Sequence, residues 1–193
     1  MSEVLTPADV MSCGELPSGS LEALFVGWGI TVDWVDDGVE IPGSHWGDAE
    51  AGMIGETLYV RSDTPVHSAL HEGGHLICMG PTRRQQVHTD AEGEELEECG
   101  VCVLQILLAE RLPNVGSDRL MRDMDAWGYS FRLGSTRAWF EGDAEDAWQW
   151  LEEAGVVAGR ALRPADPDTG AHRVSATDRA SSVGNNAAQG IVG

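Results

Sequence analysis

Apolar residues along this chain follow two periods. Around Leu70, Gly74 and Ile77, and again through Val101, Leu104 and Leu108, they recur every three or four residues, the spacing of one helix face. Ile30-Thr31-Val32-Asp33-Trp34-Val35 alternates apolar and polar positions instead, the period of a half-buried strand. The pattern predicts strands at 30–35, at 39–41 after the Asp36-Asp37-Gly38 turn signal, and at 53–60. It predicts helices from Pro65 to Met79, from Glu94 to Leu112, from Ser117 to Trp127 and from Ser135 to Ala154. Pro65 suits the first turn of the first helix, Asp63 or Thr64 its cap, and Gly80-Pro81 its stop. Arg83 to Gly93 reads as a polar connection. Residues 1–20 read as a flexible N-terminus, and residues 164–193, poor in bulky apolar side chains, as a disordered tail. Residues 21–160 form the expected domain, its C-terminal part helical.

The first helix carries His71-Glu72-Gly73-Gly74-His75, an H-E-x-x-H motif. Residues four apart share a helix face, so both imidazoles can reach one metal ion. The acid after the first His is placed to serve the water rather than the metal. The expected chemistry is hydrolysis by a metal-activated water. His71 and His75 are ligands to Zn2+, and Glu72 is the general base. Five-residue matches arise by chance, but a short, punctuated, largely apolar helix is the context that a buried metal helix needs.

Composition narrows the alternatives. The chain has 193 residues, 42% of them hydrophobic, enough for one domain with a core. Its formal net charge of −20 argues against nucleic acid, whose phosphates require clustered Lys and Arg, and disfavours anionic membranes. No apolar run is long enough for a bilayer, and Met1 to Ser20 has acids but no Lys or Arg, unlike a signal peptide. A cytoplasmic location is expected. Cys13, Cys78, Cys99 and Cys102 then read as buried free thiols; Cys99 and Cys102 form a C-x-x-C without a matching second pair.

A catalytic zinc takes three protein ligands. No His stands at the x-x-G-x-x-H extension of the motif, where Pro81 interrupts, and His88 lies in a loop. The acids Glu94, Glu95, Glu97 and Glu98 open the next long helix, which can pack beside the motif helix. Glu97 is the foremost candidate because Gly100, on the same side, permits close helix approach while Val101 and Leu104 continue its face into the core. Glu98 follows, with Cys102 and Gln105 on its face, and then Glu94.

Gly55-Glu56-Thr57-Leu58-Tyr59-Val60, His71 to His75 and Glu97 to Leu108 together resemble the minimal gluzincin core of ImmA/IrrE-like bacterial metallopeptidases. In that family a strand precedes the H-E-x-x-H helix, and a later helix carries E-x-x-A-N-x-F-A-x-x-L-L with its first Glu as third ligand. Here Glu97 takes the Glu position, Gly100 the small residue and Leu107-Leu108 the final pair, whereas Val101 and Val103 replace the polar and aromatic residues. The resemblance covers residues 53–112. It implies an α+β fold with a zincin-like core, in which a small N-terminal β-sheet packs on the H-E-x-x-H helix and the helices after it.

The expected function is therefore a zinc metalloprotease of gluzincin type acting on a protein or peptide. Tyr59, Tyr129, His67 and His88 are the candidates for stabilising an oxyanion, with no spacing that selects among them. The strand at 53–60 is a candidate edge for an extended peptide. The competing reading is a zinc-stabilised regulatory or protein-binding module, in which the aromatic stretch from Trp127 to Trp150 meets a partner. That stretch reads more readily as core.

Overall fold

Burial of the motif helix organises the chain. In a computed structural model, which describes residues 9–45 and 47–165, helix α2 (Val66–Cys78) has eleven of its 13 residues buried. Before it come α1 (Ser20–Phe25), β1 (Thr31–Trp34), β2 (Gly52–Ile54) and β3 (Thr57–Val60). After it come α3 (Pro81–Gln86), α4 (Glu95–Ala109), α5 (Gly116–Trp127), α6 (Thr136–Gly142), α7 (Glu145–Glu153) and a hairpin of β4 (Val157–Ala158) with β5 (Ala161–Leu162). The fold is α+β. Helix α4 lies centrally, packed on α2 along one flank and on α7 along another. Among the described residues no helix is long and apolar enough to cross a membrane.

The small sheet has the order β1-β3-β2. β1 runs parallel to β3, with Thr31 opposite Thr57 and Trp34 opposite Val60, while β2 is antiparallel to β3. The single strand expected at 53–60 is thus a hairpin. Gly55, at φ +60, supplies the left-handed turn between its arms. β3 is the central strand, and the outer side of β2 is filled by the chain itself. The Met53 N–H donates to the Gly43 carbonyl at 3.2 Å, and the Thr89 N–H donates to the Met53 carbonyl at 3.0 Å. The peptide-binding edge expected there is already occupied. Residues 39–41 form no strand and belong to an irregular excursion. Arg61 pins that excursion by donating to the carbonyls of Val39 at 2.6 Å and Asp48 at 3.2 Å.

Residues 9–20, expected to be loose, are built into the core. Met11, Cys13 and Leu16 are buried, and the Met11 carbonyl accepts from the Val66 N–H at 2.9 Å. A backbone carbonyl therefore satisfies the start of α2, where a Thr64 or Asp63 cap was expected. Thr64 instead accepts from the Arg61 N–H and closes the preceding turn. Residues 1–8 of the expected flexible terminus, and the expected tail from 166 onward, lie outside the described residues.

Two further boundaries differ from expectation. The stretch after Gly80 holds α3, with Pro81 at its first turn. The helix expected over 135–154 is two helices, because Asp143 leaves helical geometry at φ −147 and pairs with Arg132. Ser135 caps α6, accepting from the Ala138 N–H at 3.2 Å. Trp139 and Trp148 are buried, and Phe131, Phe140 and Trp150 pack against the core, as the core reading of the aromatic stretch requires.

Candidate metal centre

The two glycines inside the motif explain how it is positioned. A Cβ on Gly73 would run into the Phe25 ring of α1, and one on Gly74 would meet Val101 Cγ1 of α4 at 3.0 Å. Each glycine in a helix interior disfavours the helix by about 1 kcal/mol relative to alanine. Here that loss lets α1 and α4 close on α2 from two sides.

With α4 that close, three side chains converge. His71 Nε2 and His75 Nε2 lie 3.3 Å apart. Glu98 Oε2 is 3.3 Å from the first and Glu98 Oε1 is 3.3 Å from the second. A tetrahedral ion with bonds of about 2.0–2.1 Å has edges of about 3.3–3.4 Å, which the Nε2–Nε2 separation matches, and the Glu98 carboxylate presents one oxygen to each imidazole. Among the described residues, the His, Cys, Asp and Glu group able to hold a metal is His71, His75 and Glu98.

Glu97, the foremost expected ligand, stands elsewhere. Its Oε1 lies 3.1 Å from His75 Nδ1, on the far side of that ring, and Arg83 grips both its oxygens at 2.8 Å. The carboxylate is only 5% exposed and faces no other imidazole nitrogen. An acid on the outer ring nitrogen fixes a histidine's ring and tautomer, and Glu97 has that place, whereas Glu98 faces both Nε2 atoms. The two acids meet opposite sides of the His75 ring because neighbouring positions on α4 point about 100° apart. Arg83 had no part in the expectation. Its only signal was a cation shortly before a run of acids. Glu94, at the start of α4, lines a different hollow. His88 bonds to Thr89 beside β2 and is exposed.

The charges around the triangle follow from these contacts. Burial pulls the His75 pKa down, but the carboxylates of Glu97 and Glu98 outweigh it and raise it to about 9. Burial raises Glu97, yet His75 and Arg83 bring it below the usual carboxylate value. Burial likewise raises Glu98, and His71 and His75 hold it well below that value. Glu72 is raised by burial, against the pull of both histidines. A base shifted upward accepts a proton more readily near neutrality.

Beside the triangle opens a cavity of about 450 Å³ lined by Glu72, Glu98, His71, His67, Trp127 and Tyr129, with Glu50, Ser68 and Cys102. A larger hollow of about 530 Å³ near Trp139 and Asp146 is lined by no histidine, whereas the smaller one adjoins both His71 and Glu98. Of the four oxyanion candidates, Tyr129 and His67 line this cavity; Tyr59 and His88 do not. Glu50 was not foreseen, since it lies in an irregular loop with no periodic or motif signal. The Ala51 N–H donates to Ser68 Oγ at 2.9 Å, which ties that loop to α2. The cysteines are free thiols, and Cys99 and Cys102 belong to no metal cluster among the described residues. No family model matches the chain, and no curated protein or solved structure shows significant similarity to it.

Proposed function

We propose that the chain is a zinc-dependent peptidase with a zincin-like core similar to the minimal gluzincins. His71, His75 and Glu98 hold the ion, Glu97 orients His75, and Glu72 is the general base. The observation that carries this reading is the 3.3 Å triangle of two Nε2 atoms and one carboxylate, with a half-buried Glu72 lining the adjoining cavity. The ion supplies Lewis acidity toward water and the scissile carbonyl. Glu72 takes the proton released as water adds to the carbonyl carbon and delivers it to the departing amine nitrogen. Burial holds the Tyr129 phenol far above its usual pKa, so it stays a neutral donor for the developing oxyanion.

The competing reading is a purely structural zinc that ties α2 to α4, which is favoured by the ligands coming from both helices. A structural site is closed and has no use for a basic carboxylate beside it. Zinc content and peptide-library cleavage of wild type and Glu72→Gln separate the two. The enzyme reading expects about one zinc per chain in both, with cleavage reduced about 10²–10⁴-fold in the variant. Zinc in both with no cleavage by the wild type leaves the structural reading. In the enzyme, Tyr129→Phe lowers kcat about 10²-fold and leaves KM and zinc content unchanged.

A further inference from the structure

The wall of the metal-side cavity contains groups that hydrolysis does not use. His67 lies one turn before His71 on α2 and is 1% exposed, yet neither ring nitrogen has a hydrogen-bond partner among the described residues. Its ring packs between Trp127, at 5.0 Å, and Tyr129, at 5.5 Å. Burial brings its pKa down to about 3, so it is a neutral imidazole with one lone pair to offer. Glu50 lines the same cavity as Trp127; burial raises its pKa, against the pull of the Trp127 side chain and His71. The ties of its loop through Ser68 and Arg61 hold it there.

We infer that this cavity is a subsite for an arginine side chain, with Glu50 as its specificity-determining residue. The inference rests on the peptidase reading for the nature of its substrate. With zinc counted, Glu98 and Glu72 balance the two charges of the ion, and the Glu50 carboxylate is left over. A guanidinium matches what remains. Its fork of donors fits a carboxylate and an imidazole lone pair, and its plane stacks on an indole. A carboxylate side chain would meet Glu50 and Glu72. An apolar one would strip water from Glu50 and His67 and give neither a partner. His67 and His71 are four residues apart, about 6 Å along the helix, a distance suited to a side chain flanking the scissile bond.

The test uses blocked pentapeptides whose backbone amides around the central residue are N-methylated to resist cleavage, titrated calorimetrically into the zinc-loaded protein. With arginine at the centre, binding is expected at least about tenfold tighter than with norleucine. Glu50→Gln is expected to erase that preference, and Glu50→Asp, which keeps the charge, to retain most of it. Equal affinities in the wild type, no binding of either peptide, or a preference that survives Glu50→Gln would overturn the subsite. Cleavage of a peptide library runs in parallel. Arginine-selective binding without cleavage sinks the peptidase reading and supports the subsite. Cleavage without arginine preference does the reverse.

Discussion

Helix α4 meets α2 on one flank and α7 on another, and in both places a glycine lets the partner approach. Toward α2 the glycine is Gly74 of the motif, under Val101. Toward α7 it is Gly100 of α4 itself, where an added Cβ would lie 2.5 Å from Trp150 Cε3. The contents of the two contacts differ. The α2 flank holds His71, His75, Glu97 and Glu98, and Arg83 bridges to Glu97 from α3. The α7 flank supplies Ala147, Trp148 and Leu151 to the hydrophobic core. Close approach thus serves dry packing on one side. On the other it brings polar atoms within 3.3 Å of one another, with His75 and Glu97 buried and Glu98 open to the cavity. Gly100, read from the sequence as the gap that admits the motif helix, is in fact the seat of an indole.

The comparison breaks most sharply at the two adjacent acids. Glu98→Gln is expected to remove zinc altogether, whereas Glu97→Gln weakens it about 10–100-fold. Competition with a chromogenic chelator measures both. The opposite ranking would return the third-ligand role to Glu97.

The next effect lies on the α7 flank. Gly100→Val overpacks the Trp150 contact and is expected to lower unfolding stability by about 1–3 kcal/mol in urea. Zinc affinity should stay at the wild-type level. A large drop in zinc binding would mean that the two flanks are mechanically one.

His67 sharpens the comparison through pH. Its folded pKa of about 3 lies below the ordinary 6.5, so below 6.5 the unfolded chain binds the extra proton. Stability contributed by the neutral ring is present above pH 6.5 and is lost as pH falls toward 3. The slope expected is about 1.4 kcal/mol per pH unit. Metal-free His67→Phe should lack that component when urea midpoints are compared across the window. Identical acid limbs would show that the ring protonates without unfolding.

The smallest change is Gly74→Ala. The new methyl meets Val101 Cγ1 at 3.0 Å, so α4 must yield by a few tenths of an ångström. Zinc affinity is expected to fall several-fold with less than about 1 kcal/mol of stability lost. Unchanged affinity would show that the ligand triangle tolerates helix displacement.

Parts of the site were legible because they are local. His71, Glu72 and His75 share a face by helix periodicity alone, the apolar runs located α2 and α4 to within a few residues, and the helical pattern of 117–127 located α5. Boundaries that depend on single residues were not legible. Gly55 folds one expected strand into a hairpin, and Asp143, paired with Arg132, divides one expected helix into two. The order in residues 9–20 was hidden because it comes from distant partners, Val66 for the Met11 carbonyl and Asp123 for the Met11 N–H.

By itself the sequence determined the motif, its helix, the acid-rich start of the helix that packs beside it, and a formal net charge of −20. Each is a property of spacing within one element or of composition. Only the tertiary structure decided which neighbouring acid faces both imidazoles, that Arg83 restrains the other, and that Glu50 and Trp127 share the cavity. These choices depend on how α4 is rotated and how closely it is seated against α2. That setting comes from side-chain packing on several flanks at once, Val101 on Gly74 and Trp150 on Gly100 among them, and local periodicity does not encode it.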